Sequence, residues 1–96
     1  MAIKKIMCAC GVGLGSSFLV EMNVNKVLKK LNIQDIEVSH SAATDVYKGA
    51  ADLYVIGKDM NDIISAYGPT IVLDNIVSLP ELEKKMTEYL TEKGVI

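Results

Sequence analysis

The amino-acid sequence predicts a single α/β domain in which helices cover both faces of a four-stranded parallel sheet. Short apolar runs suited to buried strands alternate along the chain with segments whose apolar residues have helical spacing. The length of 96 residues fits one domain and is enough for one core without disulfides. Half of the residues are apolar and 23% are charged, which is ordinary for a globular protein.

Four apolar runs predict the strands. The first run is almost continuously apolar, which is typical of a strand covered on both faces. In the second run, Ile36, Val38 and His40 alternate with polar residues, and this alternation favours a strand at the edge of the sheet. The predicted strands are residues 3–9, 35–40, 52–57 and 70–73.

Helical spacing of apolar residues predicts the first helix over residues 17–31. Asn32 predicts its end, and lysines crowd its C-terminal half, where the helix dipole favours cations. The apolar stripe of this helix is Val20, Val24, Val27, Leu28 and Leu31, with Phe18 and Met22 beside it.

The remaining helices are predicted from their capping residues. A short helix is expected around residues 45–48, and Asp59 is expected to cap another that runs to about residue 66. Ser78 and Glu81 have the spacing of a capping box with a proline in the first turn, so the last helix is predicted from there to about residue 93. Its apolar stripe is Leu79, Leu82, Met86 and Leu90.

This order of strands and helices predicts right-handed crossovers and one Rossmann-like domain over residues 1–96. Ligands bind such sheets beyond the carboxyl ends of the strands, where the strand order reverses. The end of the first strand is therefore the expected place for a site, and Cys10 stands there.

The stretch Cys-Gly-Val-Gly-Leu-Gly-Ser-Ser, residues 10–17, leads into a helix expected to begin near Ser16 or Ser17, one of which would cap it. Alternate glycines let the backbone turn its N–H groups inward. A helix N-terminus attracts phosphate and stabilises a thiolate. We therefore expect Cys10 to be a nucleophile that carries phosphate. The expected phosphate-binding residues are Gly11, Val12, Gly13, Leu14, Gly15, Ser16 and Ser17.

Two common phosphate-binding loops do not fit this stretch. A Walker loop requires a lysine after its last glycine, and Ser16 follows Gly15 here. A dinucleotide fingerprint requires G-x-G-x-x-G, and the spacing here is one residue short. The strand that should end in an acidic residue ends in His40 instead.

Two alternatives to a phosphate carrier remain open. A low-molecular-weight-type cysteine phosphatase would use C-x5-R, but Ser16 occupies the arginine position and all ten basic residues are lysines. A loop without that arginine is expected to hold a phosphocysteine and hydrolyse it slowly. The second alternative is a non-catalytic regulatory module that binds small anions through the same loop.

Charge and apolar runs exclude other classes of function. The net charge is −2 and no basic block is present, which argues against nucleic acid as a partner. No apolar run approaches the roughly 20 residues that span a bilayer, so membrane insertion is not expected. The N-terminal sequence lacks the features of a secretory signal, so a cytoplasmic location and reduced cysteines are expected.

The other reactive side chains are interpreted as structural. Cys8 and Cys10 form a C-x-C pair, but His40 is the single histidine, so no metal or other cofactor is expected. Cys8 is interpreted as a small buried strand residue. His40 could act as a base or phosphoryl relay, although a packed or surface role is favoured. Asp45 and Asp59 follow strand ends and are favoured as helix-capping residues.

The Cys-Gly-x-Gly-x-Gly-Ser-Ser loop after a short N-terminal strand resembles the IIB component (EIIB) of a sugar phosphotransferase system. Within that system the chain resembles the lactose/ascorbate IIB fold group, and most of all its ascorbate-type members. The resemblance extends over residues 1–96 in length and element order, although only the loop is specific.

The resemblance implies a four-stranded parallel sheet and a phosphorylated Cys10. The phosphoryl group would come from a phosphohistidine of a IIA protein and pass to a sugar, ascorbate-like or related, during uptake through a membrane IIC protein. The protein would then lie in the cytoplasm, peripherally associated with IIC. The sugar, the cognate IIA and IIC, and the oligomeric state do not follow from the sequence.

Overall fold

The computed structural model of the chain describes residues 3–10, 14–42 and 46–94. Its four strands form one sheet in the order β2-β1-β3-β4, and all neighbouring strands are parallel. The predicted parallel sheet is thus confirmed, and β2 lies at an edge as expected. The strands are β1 (Lys5–Cys10), β2 (Glu37–Ala42), β3 (Leu53–Gly57) and β4 (Thr70–Leu73), and the helices are α1 (Leu14–Lys30), α2 (Asn61–Ile64) and α3 (Leu79–Glu92).

The sheet is covered on both faces because side chains alternate along each strand. On one face, β1, β3 and β4 pack against α1 and α3, and the predicted stripes of both helices are buried there apart from the partly buried Leu31 and Leu79. On the other face, Met7, Ala9, Tyr54 and Ile56 pack with Ile64 of α2. All five residues of β3 are buried. Because β3 is covered on both faces, its sequence is apolar throughout and does not alternate between apolar and polar residues.

Two residues beside the predicted stripe of α1 lie outside the core. The side chains of Phe18 and Met22 are 50% and 42% exposed, respectively. They are four residues apart and therefore lie on one side of the helix, outside its buried stripe.

The helix α1 begins at Leu14, three residues before its predicted start. Its end follows the prediction at Asn32, which has a left-handed φ of 60°. The N–H of Ile33 donates to the Leu28 carbonyl at 2.9 Å, and the N–H of Asn32 donates to the Lys29 carbonyl at 3.1 Å. These two bonds form a Schellman motif, in which asparagine tolerates the left-handed position better than other side chains do.

Two predicted short helices differ from the structure. Residues 46–48 are not helical, and Asp45 lies outside the described residues. After β3 the chain forms a 3-10 turn, Lys58–Met60, and then the single turn of α2. Asp59 lies inside the 3-10 turn, so it does not immediately precede α2. The N–H of Tyr67 donates to the Ile64 carbonyl at 2.9 Å, so the chain turns after Ile64 and α2 ends before the predicted residue 66.

The start of α3 is capped as predicted, but only in part. The Ser78 hydroxyl accepts a hydrogen bond from the N–H of Glu81 at 3.3 Å, and Pro80 lies in the first turn. The Glu81 carboxylate does not reach back to Ser78. It accepts instead from the N–H groups of Asp74 and Asn75, at 2.7 and 3.0 Å. Glu81 thus ties the loop after β4 to α3.

Lys85 joins this network from the next turn of α3. Its Nζ donates to Glu81 at 2.8 Å and to the Val72 carbonyl of β4 at 2.6 Å. The bonds from Lys85, Asp74 and Asn75 lower the pKa of Glu81 from 4.5 to about 2. The open edge of β4 is therefore occupied at Val72 by a charged side chain.

Candidate functional site

The carboxyl end of β1 is the point at which the strand order reverses. The chain leaves β1 to form β2 on one side and then crosses to form β3 on the other side. Ligands bind parallel sheets at this position because the neighbouring connections diverge and leave a crevice. Cys10 is the last residue of β1, paired through its backbone with Ala42 of β2. The structure therefore puts the predicted nucleophile residue at the expected end of the central strand.

The start of α1 follows Cys10 after three residues. Gly11, Val12 and Gly13, predicted to bind phosphate, lie outside the described residues. Leu14 is the first residue of α1, and Gly15 follows it in the first turn. The first backbone N–H groups of a helix have no carbonyl partner within it and carry its positive dipole end.

Ser16 and Ser17 are the third and fourth residues of α1, so the expectation that one of them precedes and caps the helix is wrong. The cause is that the helix extends through Gly15, which the glycine spacing had assigned to a loop. The first turn of α1 contains no acidic residue. An anion near this turn would therefore meet no opposing carboxylate there.

A side-chain cluster between α1 and β2 was not foreseen. His40 Nδ1 lies 2.8 Å from Glu21 Oε2, and the Phe18 ring lies against the imidazole with 5.5 Å between ring centroids. The His40 and Glu21 side chains are 32% and 17% exposed. His40 is therefore partly buried between Glu21 and Phe18, and the sequence does not identify this acidic partner. An acid at position 21, between the buried Val20 and Val24, was the signal in the sequence.

Lys58 is a second residue at this edge of the sheet that sequence reasoning missed. It follows Gly57 directly at the carboxyl end of β3, the strand that pairs with β1. Its side chain is exposed, and the 3-10 turn that it begins contacts β1. A lysine directly after a buried strand was the available signal.

Cys8 and three tyrosines near the sheet are divided between core and surface. Cys8 is fully buried, as expected for a structural strand residue. Tyr54 is also fully buried, and its ring meets that of Tyr67 edge-on. Tyr47 is exposed. Among residues 3–10, 14–42 and 46–94, no group of three or more potential metal ligands occurs. In the same residues, no helix combines the length and the apolar character needed to cross a membrane.

The fold and this site define a small parallel α/β domain with a cysteine at the strand-order reversal, next to a helix N-terminus. Residues 5–88 match the family model described as the PTS system, lactose/cellobiose specific IIB subunit. The chain belongs to this family, and the resemblance to IIB components is confirmed. The protein is thus a IIB component of a sugar phosphotransferase system, in which such domains carry phosphoryl groups together with IIA and IIC components. None of the curated proteins matches the chain.

Proposed function

We propose that Cys10 is the residue that carries the phosphoryl group. The observation that supports this most is the position of Cys10 at the end of the central strand, four residues before the first residue of α1. A thiolate there lies near the positive end of a helix dipole, which favours its ionised form at neutral pH. The incoming phosphoryl oxygens would be held by backbone N–H groups of residues 11–17 and by the serine hydroxyls of that segment.

The proposed transfer has two in-line steps. The Cys10 thiolate attacks phosphorus in the phosphohistidine of IIA, so the P–N bond breaks as the S–P bond forms. A hydroxyl of the sugar bound to IIC then attacks the same phosphorus, and the thiolate leaves. Backbone amides stabilise the charge on the equatorial oxygens in both steps. No arginine is available in the chain to clamp these oxygens. This supports transfer between proteins over rapid hydrolysis.

The proposed setting is the cytoplasmic face of a membrane, where the protein meets a IIA protein and a membrane IIC protein in turn. Both partners need the same end of the sheet, so the two contacts exclude each other. An ascorbate-like acid or a related sugar is the proposed acceptor, because the Cys-Gly-x-Gly-x-Gly-Ser-Ser loop resembles the ascorbate-type members of the fold group.

Intact-mass spectrometry tests the phosphorylated residue. The protein is incubated with phosphoenolpyruvate, the general phosphotransferases and its IIA protein, and the added mass is recorded. We expect one phosphate on the wild type and on the matched variant Cys8→Ala, and none on Cys10→Ser. Phosphate on Cys10→Ser, or no phosphate on any form with a verified active IIA, contradicts the proposal. If the wild type, but not Cys10→Ser, released phosphate from an aryl phosphate without any partner protein, the protein would be a phosphatase instead.

A further inference from the structure

The hydrogen-bonded pair of Glu21 and His40, between α1 and β2, puts a carboxylate near the end of the helix that would hold phosphate. Glu21 follows Leu14 by seven residues, which is about 10 Å along the helix axis. Its side chain is only 17% exposed, so its charge is screened less than that of a surface carboxylate. By itself, this charge opposes a thiolate or a phosphoryl group at the start of α1.

The hydrogen bond of this pair fixes one proton on the imidazole. An ionised carboxylate only accepts hydrogen bonds, so Nδ1 of His40 carries the proton that it donates to Glu21. With Nε2 also protonated, the imidazolium and the carboxylate together have no net charge. The Phe18 ring lies against the imidazole and limits its movement away from Glu21.

The strand register places this pair beside the proposed nucleophile. His40 pairs with Cys8, and Ala42, two residues further along β2, pairs with Cys10. Positions two residues apart on a strand share one face of the sheet. His40 and Glu21 therefore lie in the layer between α1 and β2. Along the strands, His40 is level with Cys8, two residues before Cys10.

The other ionisable groups around His40 come from the two elements that pack against β2, namely β1 and α1. On β1, Lys5 pairs with Glu37 at the opposite end of the strands, with 3.7 Å between the charged atoms. The thiols of Cys8 and Cys10 are the other ionisable groups of β1. On α1, the charged residues besides Glu21 are Lys26, Lys29 and Lys30. Within the part of the chain that the structure describes, His40 is the basic side chain in contact with Glu21.

We propose that His40 is a positioning residue for phosphoryl transfer, because its imidazolium form neutralises Glu21 and so allows the start of α1 to hold an anion. The inference rests on the proposed function of Cys10 and adds a residue to its site. Without the imidazolium, a thiolate or phosphoryl group on Cys10 would lie near an uncompensated negative charge. The two residues therefore have effects of opposite sign on the same site.

Alkylation of Cys10 by iodoacetamide tests this charge effect without any partner protein. The reagent is neutral and reacts with the thiolate, and peptide mass mapping distinguishes Cys10 from the buried Cys8. The rate is measured from about pH 5 to about pH 10, a range that brackets an ordinary cysteine. The forms compared are the wild type, His40→Gln, Glu21→Gln and the double variant.

We expect His40→Gln to slow alkylation by about three- to tenfold between about pH 5 and 6, where an imidazole is protonated, because the unpaired Glu21 disfavours the thiolate. Glu21→Gln should react at least as fast as the wild type, and the double variant within about twofold of it. All rates should converge near pH 10, where the thiol is ionised in every form. Added salt should reduce the effect of His40→Gln. The control Lys5→Gln also loses one positive charge from an ion pair between β1 and β2, and should match the wild type.

Equal slowing in His40→Gln and Glu21→Gln at every pH would show that packing matters and charge does not, and it would overturn the inference. Superimposable profiles of all forms would overturn it as well. The phosphorylation assay with IIA separates the two proposals. If the wild type takes no phosphate, the carrier proposal fails, while the alkylation rates still decide the role of His40.

Discussion

The Glu81 carboxylate accepts a hydrogen bond from the backbone N–H of Asp74, with 2.7 Å between oxygen and nitrogen. Because the folded protein lowers the pKa of Glu81 from 4.5 to about 2, the ionised form stabilises the fold. This stabilisation is fully present above about pH 4.5 and is lost as the pH falls towards 2. We expect Glu81→Gln to lower the melting temperature by a few degrees at pH 7, and the difference from the wild type to shrink between pH 4.5 and 2.

Thermal unfolding followed by circular dichroism over that pH range measures the Glu81 effect. Glu88→Gln is the control, because Glu88 is an exposed residue of the same helix. A Glu81→Gln difference that stays constant from pH 7 to pH 2 would contradict the assigned role of the carboxylate.

The left-handed residue at the end of α1 makes a prediction about backbone strain. Asn32→Gly should leave the stability unchanged or raise it slightly, because glycine adopts a φ of 60° without steric cost. Asn32→Ala should cost about 1 kcal/mol, since a Cβ without a compensating side-chain amide is strained there. Urea unfolding of the three forms measures the difference, and equal stability of the Ala and Gly variants would argue against a strained position.

Two methionines test which face of each helix forms the core. Met86 of α3 is fully buried, whereas Met22 of α1 is 42% exposed. Met86→Ala should lower the free energy of unfolding by about 2–5 kcal/mol because it leaves a cavity. The same change at Met22 should cost well under about 1 kcal/mol. Chemical denaturation of both variants is the measurement, and similar losses at the two sites would mean that the packing of α1 is misassigned.

The buried hydroxyl of Tyr54 donates to the Tyr47 carbonyl at 2.8 Å and accepts from the N–H of Ala51 at 3.3 Å. These bonds hold the segment before β3 against the sheet. Tyr54→Phe leaves both backbone groups without this partner and should cost about 1–3 kcal/mol. The control is Tyr67→Phe, which changes the other ring of the same aromatic pair and should be nearly neutral. Equilibrium unfolding tests this, and a neutral Tyr54→Phe would refute the structural role of the hydroxyl.

Lys58 is exposed directly after β3. We predict that its positive charge attracts a phosphorylated IIA protein to this end of the sheet. We expect Lys58→Gln to reduce the initial rate of phosphorylation by IIA by about two- to fivefold at low salt, and less at high salt. Lys29→Gln removes the same charge at the other end of α1 and should have little effect. Equal rates of the two variants would exclude a local effect of Lys58.

The sheet could be predicted from the sequence because three of its strands are short runs of mainly apolar residues and the fourth, β2, overlaps an alternation of apolar and polar residues. The predicted β4 has the observed bounds, and β3 differs by one residue. The extension of β2 to Ala42 was missed, because pairing with β1 holds polar Ser41 in a strand without an apolar pattern. Likewise, the start of α1 was misplaced, since glycines favour loops locally whereas the backbone of Gly15 here continues a helix.

The site was predictable only as far as it depends on topology. The end of the first apolar run places Cys10 at the end of β1, and the structure confirms this position, while the site expected at that edge of the sheet stays a prediction. The Glu21–His40 contact joins residues 19 positions apart, and no local spacing rule connects them. The sequence does not identify Lys58 as a neighbour of β1, because that position comes from the pairing of β3 with β1 and not from the order of the strands along the chain.

The bond from Lys85 to the Val72 carbonyl also affects how copies of the protein behave towards one another. β4 is the last strand of the sheet on its side, so its outward-facing backbone groups would otherwise offer a template for a strand from another chain. The ammonium group occupies one of these acceptors at 2.6 Å and brings a positive charge to the edge. The edge of β4 is thereby less available at Val72 for pairing with a strand of a second copy of the protein.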